Sequence, residues 1–168
     1  MTGVPHLRLT TMGAKMAGRK LPCAIGRGGI GQTKREGDGV TPAGSHAIFG
    51  LLYRPDRISK SDLPNWALPI GLNDLWSDDP ADPFYNLMCR SPHGFNHEKL
   101  RRADPLYDII LLTNYNWPYA QAGAGSAIFI HTWRKPRHPT AGCVAFAKKD
   151  LIWITHQLKP TSRLIVKS

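Results

Sequence analysis

Apolar and polar side chains alternate over residues 5–11 (PHLRLTT), the period of a half-buried strand. Residues 20–26 (KLPCAIG) predict a second strand. From 36 to 55 (EGDGVTPAGSHAIFGLLYRP) a polar, turn-forming stretch runs into an apolar strand around 46–53. Short apolar runs with β-branched residues at 106–116 (LYDIILLTNYN) and 125–131 (GSAIFIH) predict buried strands, and 163–167 (RLIVK) a last one. Residues 148–158 carry helical spacing instead, with Leu151, Ile154, Thr155 and Leu158 on one face. A short helix is predicted over 96–104 (NHEKLRRAD), with Asn96 as its N-cap. The glycine-rich piece 26–31 (GRGGIG) lacks the Lys-Ser/Thr ending of a phosphate loop and predicts a tight turn. Residues 56–86, rich in Pro, Asp and Trp, predict irregular structure. The sum is a mainly β chain, a sandwich or barrel of mixed strands with one longer and one short helix, expected as a single domain over 1–168.

Composition changes this picture in three ways. The 168 residues suit one core, and the counts of 16 Gly and 14 Pro favour turns and short strands over long helices. The formal charge of +10 favours an anionic partner, but no long Lys/Arg run exists, so a basic face is expected and not a nucleic-acid tail. Cys23, Cys89 and Cys143 form no CxxC pair, which argues against a zinc ribbon. Either Cys23 pairs with Cys89 or both are small buried hydrophobes. No stretch is apolar for long enough to span a bilayer. The first residues have no uninterrupted apolar core and do not read as a secretory signal.

Chemistry concentrates in residues 125–146 (GSAIFIHTWRKPRHPTAGCVAF). An apolar strand ends in His131, a polar loop follows, and the small-residue turn Thr140-Ala141-Gly142 delivers Cys143 into a new apolar stretch. A thiol becomes a strong nucleophile when a neighbouring His takes its proton. Gly142 permits a sharp turn and a close substrate, and amides around Gly142 and Cys143 are candidate oxyanion donors. Thr132, by hydroxyl or carbonyl, is a candidate to orient His131. A buried Cys and a strand-ending His are also common as plain core residues. His131, His138 and Cys143 match no standard zinc spacing, so neither metal nor cofactor is expected. Arg134, Arg137 and His138, in the loop between base and nucleophile, either bind substrate carboxylates or form a solvated basic loop. Trp76, Asp78, Tyr85 and Asn86 either line a cleft or pack and cap a loop.

Residues 125–146 resemble the active-site signature of the L,D-transpeptidase catalytic domain, the YkuD-type fold, in which a strand ends in a catalytic His and a later turn presents a nucleophilic Cys. The segment GDGVTPAGSHAIF (37–49) resembles that family's T-P-x-G-x-F piece. WSDDPADPFYN (76–86) and LRRADPLYDIILLTNYN (100–116) resemble a bacterial branch of short, stand-alone domains. The likeness covers about residues 34–158. It departs from the family at Ala141, which stands where a His usually precedes the Gly, in the residues after Cys143, and in a shorter loop after His131. The resemblance implies Cys143 as nucleophile, His131 as base, and a thioester formed on a peptidoglycan stem peptide. An amine of a second stem peptide then resolves it into a 3,3 link or, in this branch, a 1,3 link between L-Ala and diaminopimelate. Carbapenem-type inhibitors and a monomeric, periplasmic enzyme are further expectations from the family. An L,D-carboxypeptidase or amidase and a non-enzymatic basic binding module are the alternatives.

Overall fold

A computed structural model describes residues 3–168. Strands β1 (Leu7–Thr10), β2 (Gly13–Met16) and β3 (Arg19–Leu21) form an antiparallel meander. The alternation read from the sequence holds in β1, where Leu7 and Leu9 are buried and Arg8 and Thr10 exposed. Residues 11–18 show no period that predicts the β2–β3 hairpin. Its one local signal is Ala17-Gly18, which take φ of 46° and 80°, the two-residue turn whose twist matches paired strands. Strands β4 (Ile30–Gly31) and β5 (Thr41–Pro42) make a small parallel pair. The long strand β6 (Gly44–Tyr53) covers the predicted 46–53.

Next come β7 (Leu68–Pro69), β8 (Asp74–Ser77), β9 (Met88–Arg90) and β10 (His97–Lys99), then β11 (Ile109–Thr113), β12 (Phe129–Thr132) and β13 (Val144–Phe146). Helix α1 (Lys148–Gln157) and strand β14 (Arg163–Val166) complete the chain. The main sheet runs β13-β12-β11-β6-β14-β1-β2-β3, with β7 added to β6. Past β3 the chain bends back to β13. Ala24 N–H donates to Ala145 O at 2.8 Å and Ala145 N–H to Ala24 O at 2.9 Å, so the sheet is nearly closed into a barrel.

The sheet separates two apolar clusters. Leu51, Ile109, Leu111, Ile130, Val144 and Phe146 point to the side covered by α1 and the meander. Leu52, Ile110, Leu112, Phe129 and Cys143 point to the other, where Trp76, Leu100 and Tyr107 cover them. Full burial of each large apolar side chain stabilises the fold by roughly 1.5–3 kcal/mol. Leu151, Ile154, Thr155 and Leu158 are all buried, as the helical spacing requires.

Two expectations fail. Residues 96–104 form no helix: His97, Glu98 and Lys99 pair antiparallel with Ser77, Trp76 and Leu75. The segment has a single large apolar residue, Leu100, so nothing along a helical face competes with pairing to β8. Among the described residues the fold therefore has one α-helix, plus a 3-10 turn at Lys60–Asp62. The stretch 56–86 is also more regular than predicted, since β7 and β8 lie within it. Cys23 and Cys89 are free thiols, the first buried and the second partly exposed.

Candidate active site

The β12–β13 ladder is parallel, with Ile130 opposite Val144 and His131 opposite Ala145. Paired residues point the same way and the side-chain period along a strand is two. Phe129, His131, Cys143 and Ala145 therefore share one face. His131 and Cys143 both border one cleft of about 430 Å³, with Thr140, Arg134 and His138 from the connecting loop on its wall.

Three sets of contacts fix the nucleophile turn. Thr140 Oγ1 donates to Cys143 O at 2.6 Å and accepts from Gly142 N–H at 3.1 Å. Thr41 Oγ1 donates to Gly142 O at 2.8 Å and accepts from Gly26 N–H at 2.8 Å. Arg27 N–H donates to Thr140 O, and Thr140 N–H to Ile25 O, each at 2.9 Å. The piece 26–31 does turn at Gly29 (φ +75°), but it also backs the nucleophile loop. Gly142 takes φ +140°, and a Cβ there would meet Val40 O at 2.9 Å, so only Gly fits. Its N–H is spent on Thr140 and is withdrawn from the oxyanion donors expected of this turn.

Cys143 Sγ donates to Ala127 O at 2.9 Å and accepts from Phe129 N–H at 3.4 Å. Ala127 has φ +49°, an unusual conformation for a residue with a Cβ, and Asn86 holds it there. Asn86 Oδ1 accepts from Ala127 N–H and from Trp76 Nε1–H, each at 2.9 Å. Asn86 Nδ2 donates to Tyr115 O at 3.1 Å and Asn116 O at 2.7 Å. Trp76 and Asn86 thus sit behind the thiol and position its acceptor. They do not line the cleft. Tyr85 does related work, donating to Glu36 Oε2 at 2.5 Å and accepting from Gly125 N–H at 3.0 Å. Asp78 borders a separate shallow depression with Glu36, Asn96 and His97, and its Oδ1 is buried without a partner.

His131 Nδ1 lies 2.8 Å from the Thr132 carbonyl. A carbonyl only accepts, so Nδ1 carries the proton and Nε2 is left without one. The Thr132 hydroxyl is buried without a partner. The Tyr107 ring meets His131 edge-on, with centroids 5.3 Å apart. Burial pushes the Cys143 thiol up to about 12, helped by the charge of Glu98 and opposed by the Phe129 N–H. Burial also pulls His131 down to about 4, against the upward pull of the Thr132 carbonyl. The resting pair is a neutral thiol beside a neutral imidazole, not an ion pair.

Of the loop residues, Arg134 and His138 reach the cleft and Arg137 does not. Arg137 has φ +58°, which turns it to the meander side, where it borders a pocket with Lys20, Leu21 and Pro22. Sequence reasoning missed Glu98, Arg102 and Tyr107 as lining residues. The signal for Tyr107 was a hydroxyl in an otherwise apolar run. Glu98 was masked by the helix expectation.

The fold is thus a nearly closed β-barrel with a buried thiol and a carbonyl-oriented imidazole bordering one cleft. Residues 7–166 match the model of the YkuD L,D-transpeptidase catalytic domain, and the chain belongs to that family, whose activity is on peptidoglycan. The match is wider than the 34–158 of the sequence likeness. No curated protein sequence matches the chain significantly. No helix among the described residues is long and apolar enough to cross a membrane.

Proposed function

We propose that this chain is a cysteine L,D-transpeptidase that joins peptidoglycan stem peptides through a thioester on Cys143. One observation carries the reading: Cys143 and His131 share a sheet face and a cleft, with His131 held as the tautomer that leaves Nε2 free. As Sγ attacks the carbonyl between an L-centre and a D-amino acid, its proton passes to Nε2. The tetrahedral intermediate collapses, the C–N bond breaks, and the leaving amine takes that proton. The thioester remains until an amine of a second stem peptide attacks it. Sulfur then leaves with the bonding pair and regains a proton through His131. Arg134 supplies positive charge, and His138 a polar ring, for the donor's carboxylates.

The products are 3,3 or 1,3 links, formed in the periplasm where the wall is. Hydrolysis of the same thioester is the competing outcome. The test is intact mass after exposure to a carbapenem and, separately, to a stem tetrapeptide. An acyl adduct that is absent from Cys143→Ala supports the reading. A wild-type protein that takes neither acyl group sinks it. Mass analysis of the products then separates 3,3 from 1,3 links and transfer from hydrolysis.

A further inference from the structure

Glu98 is the only carboxylate among the residues bordering the cleft, whose other ionisable members include Arg102, Arg134 and His138. It points inward because β10 pairs with β8, with Glu98 opposite Trp76. Its Oε2 accepts from the Tyr107 hydroxyl, and Tyr107 is the residue whose ring meets His131. Its Oε1 makes no hydrogen bond among the described residues, and no ion pair forms at Glu98 there. The nearest guanidinium is already engaged. Arg102 Nε and Nη2 bind the two Asp104 carboxylate oxygens at 2.9 and 2.7 Å, while its Cζ lies 5.2 Å from the Tyr107 ring centre. This partly buried carboxylate thus has only the charge of Arg102, shared with Asp104, and no ion pair among the described residues, one side chain away from His131.

A half-buried carboxylate with one oxygen on a neutral hydroxyl and the other without a protein donor is well satisfied by an incoming cation. We infer that Glu98 is the acceptor subsite, which binds the primary ammonium of the second stem peptide and takes its first proton. This rests on the transpeptidase reading and adds to it the residue that selects an amine over water. Burial pushes the Glu98 carboxyl up, with the charges of Asp78 and Glu36 adding to it and the Tyr107 hydrogen bond and the charge of Arg102 opposing it, which suits a proton acceptor.

The chemistry balances as follows. The ammonium gives one proton to Glu98 and becomes a free amine. Its lone pair forms the new C–N bond at the thioester carbonyl. The C–S bond breaks, and the amine's second proton reaches the departing sulfur through His131. Glu98 returns its proton to solvent when the product leaves.

The experiment follows acylation and transfer separately, with a stem tetrapeptide as donor and a second stem peptide as acceptor. Glu98→Gln is expected to form the acyl-enzyme and to lose transfer by at least about tenfold, so that hydrolysis dominates the products. On the wild type, the acceptor with its amine converted to trimethylammonium is expected to inhibit transfer competitively with acceptor and to leave acylation alone. This second arm decides the matter should Glu98→Gln fail to fold. An unchanged ratio of transfer to hydrolysis in Glu98→Gln, or an analogue that blocks acylation instead, overturns the acceptor role while leaving the thioester chemistry intact. A wild type that takes no acyl group overturns both.

Discussion

A thiol that donates its proton to a carbonyl is a poor nucleophile, and Cys143 starts in that condition. Thiolate is scarce at neutral pH when burial lifts the group to about 12. On the transpeptidase reading, attack is therefore coupled to proton transfer as the substrate fills the cleft. A small alkylating agent such as iodoacetamide is expected to label the partly exposed Cys89 before Cys143, while a cleft-filling carbapenem labels Cys143 first; peptide mapping reads both. His131 has a matching thermodynamic signature. The unfolded chain takes up its proton as pH falls through 6.5, whereas the folded chain waits until about 4. Within that window the unfolded state binds more protons, so stability falls with falling pH, by roughly 3 kcal/mol in total. Thermal unfolding of wild type against His131→Gln should show that loss shrink in the variant. Equal acid sensitivity of the two would contradict a neutral, buried imidazole.

At the level of elements, the site depends on two parallel strands and the strip that crosses behind them. Thr41 is completely buried, and its one hydroxyl ties Gly26 to the carbonyl of Gly142. Thr41→Val keeps the shape but leaves a buried N–H and C=O unpaired, at a cost of about 2 kcal/mol. It should also slow acylation of Cys143, since the turn loses its brace; chemical denaturation and the carbapenem adduct rate measure the two effects. An unchanged adduct rate would mean that the Thr41 brace is irrelevant to the thiol. The strands that carry His131 and Cys143 were legible because each is a short apolar run with a turn beside it. The contacts between them and distant pieces were not. Asn86 lies far along the chain from Ala127, and no period or motif announces that one will hold the other. Glu98 failed for a different reason: a three-residue strand is decided by its partner, and the local pattern His-Glu-Lys fits a helix surface equally well.

For the molecule as a whole, β14 is the join. It is antiparallel to β6 and parallel to β1, and so links the meander at the start of the chain to the strands of the site. Leu164 at its centre is fully buried among both sets. Leu164→Asp places an unpaired carboxylate in the core and is expected to cost more than about 4 kcal/mol, enough to abolish cooperative unfolding near room temperature. Circular dichroism melts would show it, and a normal melt would mean that the meander is held without β14. The charge pattern also belongs to this scale: an overall basic surface surrounds a cleft whose one acid stands alone.

Because β14 follows every other strand in the chain, its position has a consequence for biosynthesis. The ribosome releases β1 to β3 well before β14, the strand that seats them. Until then the meander keeps an open edge, and the strip after it has no fixed place behind Gly142. A nascent chain thus carries a thiol without the surroundings that give it chemistry. On the proposed mechanism, reactivity arrives only once β14 is in place.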